Sequence, residues 1–232
     1  MRKAKIFIVN GIILTSSSLL IRGAGLIFNI YVANKVGQEA IGIFSLVMSV
    51  YTFAITFATS GISLACTCIV SEEFAKNNFE KGLKAVKTCI FFALILGITA
   101  SILLFLFAHI ISGNWLKGNV SNLPIYSISL GLPLISISAV NGGYLTSIGK
   151  SYKSAFAQCV ELTVKIIATY FLLSFSINKG IDAICTSLII GDVISEFFSF
   201  LLNLIFYFVE KRKFKPSREY HKDLNIKIFK IA

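Results

Sequence analysis

Six long apolar runs with few charges constrain this chain more than any other feature of its sequence. The runs cover residues 6–33, 41–70, 85–111, 123–148, 154–175 and 184–209. Each is longer than the ~20 apolar residues that an α-helix needs to cross a bilayer. Such runs favour helices, whose backbone hydrogen bonds are satisfied within one segment. The sequence therefore predicts an all-α, polytopic membrane helix bundle with six transmembrane helices.

Charge is sparse and lies mostly at the ends of these runs. Charged residues make up 14% of the chain, against about 25% in soluble domains. The net charge of +11 does not indicate nucleic-acid binding, because the cations form no compact basic face. The run at residues 6–33 exceeds the ~7–15-residue core of a signal peptide, and no small-residue cleavage site follows it. We therefore expect no nucleic-acid partner and a first helix that is retained.

The loop cations predict the orientation of the helices. Almost all Lys and Arg outside the runs lie in the two tails and in the second and fourth loops. The first, third and fifth loops contribute only Lys35, Lys117 and Lys179. Because cytoplasmic loops carry the excess of Lys and Arg, we expect a multi-pass cell-membrane protein with both termini in the cytoplasm. Residues 210–232 would then form a basic cytoplasmic tail, which lipid phosphates attract.

The first run carries a polar stripe with a cation at its centre. An arginine in a membrane helix costs at least ~2.5–3.5 kcal/mol on insertion scales, so Arg22 must face protein or water. Its neighbours at three- and four-residue spacing share one helix face. The stripe consists of Gly11, Thr15, Ser18, Arg22, Gly25 and Asn29.

A second stripe of hydroxyls follows the second run. One interpretation is helix–helix packing through small side chains, and the other is the wall of a hydrated cavity shared with the Arg22 face. Gly61 lies within this run and could loosen the long helix. The stripe consists of Ser45, Ser49, Thr52, Thr56, Thr59, Ser63 and Thr67.

The fifth and sixth runs contain four ionisable residues. Glu161 and Lys165 are four residues apart with the glutamate first, which favours an ion pair. Asp192 and Glu196 are also four apart, but two like charges at low dielectric resist joint ionisation, and Arg22 and Lys165 are alternative partners for them. All four are candidates for ion coupling, because intramembrane charges mark transport pathways. Mutual neutralisation is the structural alternative.

Motifs for enzyme chemistry are absent from the sequence. The five cysteines and two histidines have no zinc-ligand spacing. There is no phosphate-cradling loop and no nucleophile with a positioned base. We therefore expect no enzyme activity, no cofactor and no metal site.

Three segments carry a family resemblance: Arg22-Gly23-Ala24-Gly25 through Gly37, Gly42-Ile43-Phe44 through Val70-Ser71-Glu72, and Gly143-Tyr144-Leu145 through Gln158, Glu161 and Lys165. On these residues the chain resembles the multidrug/oligosaccharidyl-lipid/polysaccharide (MOP) exporter superfamily. Within it, the chain is most similar to the stage V sporulation protein B and polysaccharide biosynthesis branch.

This resemblance implies a two-lobed transporter of which the chain covers the first six-helix lobe, leading into a missing seventh span. It implies flipping of a lipid-linked, diphosphate-bearing saccharide by alternating access, for cell-envelope polysaccharide or spore cortex peptidoglycan in a bacterial plasma membrane. The implied partners are membrane lipid, the lipid-linked saccharide, and a second lobe from downstream chain or a homodimer. Arg22 would contact the diphosphate, since its delocalised cation suits phosphate. The other cavity candidates are Ser18, Asn29, Ser49, Thr52 and Thr56.

Two other hypotheses stay open at this point. The first is a cation-coupled multidrug antiporter of the same superfamily, with Asp192 or Glu196 in a proton or sodium site. The second is a non-transporting scaffold or a truncated fragment, because one lobe alone forms no cavity between lobes.

Overall fold

A computed structural model describes the backbone of residues 2–59, 61–115 and 121–213. It describes the side chains of residues 15–16, 18–59, 61–113 and 121–213. Most of the predicted basic tail, from residue 214 onward, lies outside the described residues. The side chains of the N-terminal cations also lie outside the described part, and so does the burial of Gly11 in the first stripe.

Seven α-helices and one π-helical turn make up the described chain. The helices are α1 (Arg2–Val36), α2 (Gln38–Thr59), α3 (Ile62–Ala75), α4 (Phe79–Ile110), α5 (Leu123–Ser147), α6 (Ser151–Ser176) and α7 (Ile181–Lys211), with the π-helical turn at Ile111–Trp115. Six segments are long and apolar enough to cross a membrane: Ser18–Val36, Gln38–Ala75, Phe79–Gly113, Leu123–Ser147, Ser151–Ser176 and Ile181–Lys211. The predicted six-span, all-α fold is confirmed.

The second span is two helices rather than one. Gly61 separates α2 from α3 and has φ +69°, in the left-handed region. A residue with a Cβ is strained there, whereas glycine is not. Gly61, which the sequence analysis expected to loosen the span, therefore interrupts it and redirects α3 against α5.

The helices are organised around α5 and α7. Helix α5 packs against α3, α4 and α7, while α7 also packs against α2 and α6. Helix α1 lies at the edge, mainly against α6. Phe28 and Val32 hold it there, in a buried cluster with Leu173 of α6 and Leu188 of α7.

Two apolar cores fill opposite ends of the bundle. The α2 core lies at the end where α2, α5 and α7 begin, and it includes Val47, Ile128, Leu132 and Ile189. The α3 core lies at the end where α3 and α5 finish. It includes Cys66, Ile69, Val86, Cys89, Tyr144 and Tyr207.

Helix α7 extends beyond the end of the predicted sixth span. Glu210, predicted to begin the tail, is helical and only 1% exposed. Its carboxylate forms ion pairs with Lys150, with Lys153 at 2.5 Å and with Lys213 at 3.0 Å. These contacts fasten the α5–α6 turn to the last turn of α7, because burying a carboxylate requires compensating partners.

Candidate functional site

A polar cavity lies inside the bundle, between α2–α3, α5, α6 and α7. Its volume is about 460 Å³. We call it the inner cavity. The polar side chains that line it include Ser63, Thr67, Gln158, Glu161, Glu196 and Asn203. Two of the four predicted ion-coupling candidates, Glu161 and Glu196, therefore share one water-accessible space.

Glu196 is held by a tyrosine from another span. The hydroxyl of Tyr51 on α2 lies 2.5 Å from both carboxylate oxygens of Glu196 on α7. Gly131 on α5 makes room for this contact, since a Cβ there would lie 2.6 Å from Oε2 of Glu196 and 3.0 Å from the Tyr51 hydroxyl. Sequence reasoning missed Tyr51. The one available signal was a phenol in the middle of an apolar run.

Asp192 is held by Lys165, across the contact between α6 and α7. The Nζ of Lys165 lies 2.7 Å from Oδ1 of Asp192. The predicted Glu161–Lys165 ion pair is not formed between these two described side chains. Asp192, 5% exposed, is buried more deeply than Glu161 and has no other cationic partner among the described residues. It therefore gains more from the lysine charge.

Arg22 does not join this cluster. Arg22 and Asn29 are exposed on α1, and Ser18 is partly buried on the same helix. Among the described side chains none forms an ion pair with Arg22, and the predicted alternative in which Arg22 holds Asp192 or Glu196 is wrong. Arg22, Ser18 and Asn29 also do not line the inner cavity.

The hydroxyl stripe of the second span divides at Gly61. Ser49, Thr52 and Thr56 are exposed on α2, and each hydroxyl donates to the carbonyl four residues earlier, at 2.8–2.9 Å. Ser63 instead donates to Ala139 O on α5, at 2.8 Å. Thr67 donates to Ser63 O, four residues earlier, at 2.9 Å and also lies 3.2 Å from Gly143 O on α5. Both side chains line the inner cavity. Both interpretations of the stripe thus apply to α3, where the hydroxyls pack against α5 and line a cavity.

The structure separates the predicted site into two sets. The inner cluster combines Tyr51, Glu161, Lys165, Asp192 and Glu196. The second set, which we call the exposed polar set, consists of the exposed residues Arg22, Asn29, Ser49, Thr52 and Thr56 together with the partly buried Ser18. Within the described residues, no group of three or more His, Cys, Asp or Glu side chains could hold a metal ion.

Three comparisons with known proteins place the chain. The sequence profile of the family described as "Polysaccharide biosynthesis protein" matches residues 7–226. Stage V sporulation protein B of Bacillus subtilis (strain 168) is 22% identical over 214 residues, covering 92% of this chain and 41% of that protein. The chain therefore spans less than half the length of this relative.

Solved transporters share the fold. A MATE structure in the straight conformation superposes with a TM-score of 0.77 at 16% identity, over 98% of this chain and 51% of that one. A MOP superfamily transporter from Pyrococcus furiosus gives 0.68 at 17% identity, over 98% and 50%. Each match covers about half of the solved chain, which confirms a one-lobe fold. With six membrane-capable helices and a profile match over nearly its whole length, the chain is a multi-pass membrane protein that belongs to the polysaccharide biosynthesis protein family.

Proposed function

We propose that this chain is one lobe of a flippase that moves a lipid-linked, diphosphate-bearing saccharide across the membrane by alternating access. The family match and the likeness to stage V sporulation protein B support this class of substrate, for cell-envelope polysaccharide or spore cortex peptidoglycan. The bacterial plasma membrane, with both termini in the cytoplasm, is the proposed location.

Arg22 is the observation that carries this proposal. It is exposed on a membrane-capable helix and has no ion pair among the described side chains. A guanidinium at membrane depth is stable only beside water, protein or an anionic ligand. Its planar fork of donors matches a phosphate oxygen pair. Arg22 is therefore the proposed contact to the diphosphate.

A second lobe would complete the site. The solved transporters that this chain resembles are about twice as long. The exposed polar set on α1 and α2 provides donors and acceptors that the described lobe leaves uncovered. We propose that these residues face a cavity whose other wall comes from downstream chain or from a second copy. The inner cluster supplies the proposed ion-coupling residues.

A second candidate function is cation-coupled multidrug export. Two solved structures with this fold are described as multidrug resistance MATE family transporters. The inner cluster, with three carboxylates and one lysine, also offers groups that take up and release a coupling proton. Under this hypothesis Glu196→Gln and Asp192→Asn abolish transport, whereas Arg22→Ala has little effect.

The test is a set of chromosomal variants in the host, at equal expression. Arg22→Ala should lower the amount of lipid-linked diphosphate saccharide that an impermeant label reaches at the outer face by at least tenfold. That factor corresponds to losing about 1.5–3 kcal/mol of charge-assisted hydrogen bonding. Arg22→Lys should fall in between, because lysine keeps the charge but not the fork.

The matched control is Lys179→Ala, which removes an exposed cation from the α6–α7 turn. It should leave the labelling unchanged. Wild-type labelling in the Arg22→Ala strain would refute the assigned role of Arg22. Loss of drug export in the Glu196→Gln strain, with normal saccharide labelling, would favour the antiporter.

A further inference from the structure

The surroundings of the inner cluster differ on its two sides. Toward the end where α2, α5 and α7 begin, the α2 core closes the bundle. Val47, Ile128, Leu132 and Ile189 are each at most 1% exposed. Packed apolar side chains of this kind leave few voids large enough for water. This side of the cluster is therefore dry.

The Tyr51–Glu196 contact forms the boundary of the dry side. The phenol hydroxyl lies 2.5 Å from both carboxylate oxygens. Gly131 lies so close behind them that even an added methyl group would meet Oε2 at 2.6 Å. A water molecule has no room between Glu196 and α5 at this point, so the contact seals the carboxylate from the α2 core.

The opposite side of the cluster opens into the inner cavity. Its lining runs from Glu161 and Glu196 to Thr146 and Ser154, which flank the α5–α6 turn. Thr146 and Gln158 are exposed and mark the mouth. The cavity volume of about 460 Å³ is many times the ~10–15 Å³ of accessible cavity space that one water needs.

Two polar groups in this lining require a partner that the described protein does not supply. Oγ of Ser138 and Oδ1 of Asn203 are buried without a hydrogen-bond partner among the described residues. Asn203 is 5% exposed, and its amide nitrogen is already committed to Ser199 O at 3.0 Å. An unsatisfied buried acceptor costs about 1–3 kcal/mol, and water in a polar cavity removes that cost.

We propose that the inner cavity is an aqueous vestibule that opens at the α5–α6 turn, through which water and protons reach Glu161 and Glu196. A role of the vestibule in coupling protons to transport rests on the proposed function. The water path itself does not, because it exists whether or not the protein transports a substrate. In this conformation the carboxylates exchange protons with one side of the membrane. Access from the other side requires the Tyr51–Glu196 contact to open.

The test measures thiol accessibility in the full chain, with the five native cysteines replaced by serine. Asn203→Cys reports on the vestibule, and Ser129→Cys, 1% exposed beside the α2 core, is its buried control. Tyr152→Cys and Lys179→Cys mark the two ends of the bundle. The probe is the impermeant cationic reagent methanethiosulfonate ethyltrimethylammonium. It is applied to sealed vesicles of each orientation, and mass spectrometry follows modification.

The reagent should modify Asn203→Cys when it is applied to the same face from which it modifies Tyr152→Cys. The rate should be at least 100-fold higher than the rate for Ser129→Cys. Gly142→Val should narrow the mouth, because a Cβ at Gly142 already lies 3.2 Å from Oγ of Ser154. It should slow modification of Asn203→Cys at least tenfold and leave Tyr152→Cys unchanged.

The proposal would be overturned if the reagent modified Asn203→Cys from the face at which it modifies Lys179→Cys. The proposal would also be overturned if Asn203→Cys reacted from neither face, provided that this variant elutes as a single species and the Tyr152→Cys variant reacts fully. Because this test measures no saccharide, the vestibule and the flippase role of Arg22 can each fail alone.

Discussion

Tyr51 shows how one side chain can define a polar centre inside an apolar bundle. Its hydroxyl is the donor within 2.5 Å of the Glu196 carboxylate, and it connects α2 to α7. The ring itself is 1% exposed and belongs to the α2 core. The same residue thus stabilises the dry half of the bundle through its ring and the polar half through its hydroxyl.

We predict that Tyr51→Phe lowers the free energy of unfolding by about 1–3 kcal/mol, because the buried carboxyl group loses its donor. Denaturant unfolding of the purified chain in detergent measures the change. Glu196→Gln should cost less, since the amide oxygen still accepts the bond from Tyr51.

The matched control is Tyr126→Phe, which removes a hydroxyl on α5 that makes no hydrogen bond to the described residues. Its effect should stay within about 0.5 kcal/mol. Equal losses for the two tyrosine variants would mean that the Tyr51–Glu196 contact contributes no specific stability.

At the scale of helices, glycine sets the close approach of α3 to α5. A Cβ at Gly143 would lie 2.7 Å from the backbone oxygen of Ser63 and 2.9 Å from Oγ1 of Thr67. The Ser63 oxygen belongs to the α3 backbone, and Oγ1 of Thr67 lies 2.9 Å from that oxygen and 3.2 Å from Gly143 O, so neither neighbour can move cheaply. The polar wall of the inner cavity therefore depends on the absence of one methyl group.

We predict that Gly143→Ala destabilises the chain by about 1–3 kcal/mol, because it forces α3 and α5 apart in a packed region. Thermal unfolding of the purified chain measures the effect. Gly42→Ala is the control, since Gly42 is exposed on α2 and a Cβ there meets nothing within 4 Å. That change should be neutral or stabilising by up to about 1 kcal/mol. A tolerated Gly143→Ala would show that the helix spacing is not fixed at this point.

Across the whole molecule, the two ends of the bundle are fastened by different contacts. At one end the backbone N–H of Ser121 donates to Oδ1 of Asp182 at 2.7 Å, which links the starts of α5 and α7. At the other end Glu210 forms ion pairs with Lys150, Lys153 and Lys213. The second contact lies at the same end as the mouth of the inner cavity, so it also holds the α5–α6 turn in place.

We predict that Glu210→Gln lowers the free energy of unfolding by about 1–3 kcal/mol, because a nearly buried charge that holds the lysines is lost. Denaturant unfolding at low salt measures this effect. Glu39→Gln is the control for the same chemical change at an exposed site in the first turn of α2. It should cost less than about 1 kcal/mol. Similar changes in the free energy of unfolding for the two variants would show that the ion pairs of Glu210 do not stabilise the fold.

The sequence by itself determined the all-α class, the six spans and the presence of ionisable groups inside them. These features are local, because the length and hydropathy of a run decide whether it crosses a membrane. Gly61 was recognisable as a weak point for the same reason. Tertiary structure decided which charges meet, since partners depend on the neighbour and rotation of each helix. The four-residue spacing along α6 favoured an ion pair between Glu161 and Lys165. The packing of α6 on α7 instead places Lys165 beside the more deeply buried Asp192, with which it forms the ion pair. Packing likewise brought Tyr51, and not Arg22, into hydrogen-bond contact with Glu196. It also buried Glu210 at the end of α7.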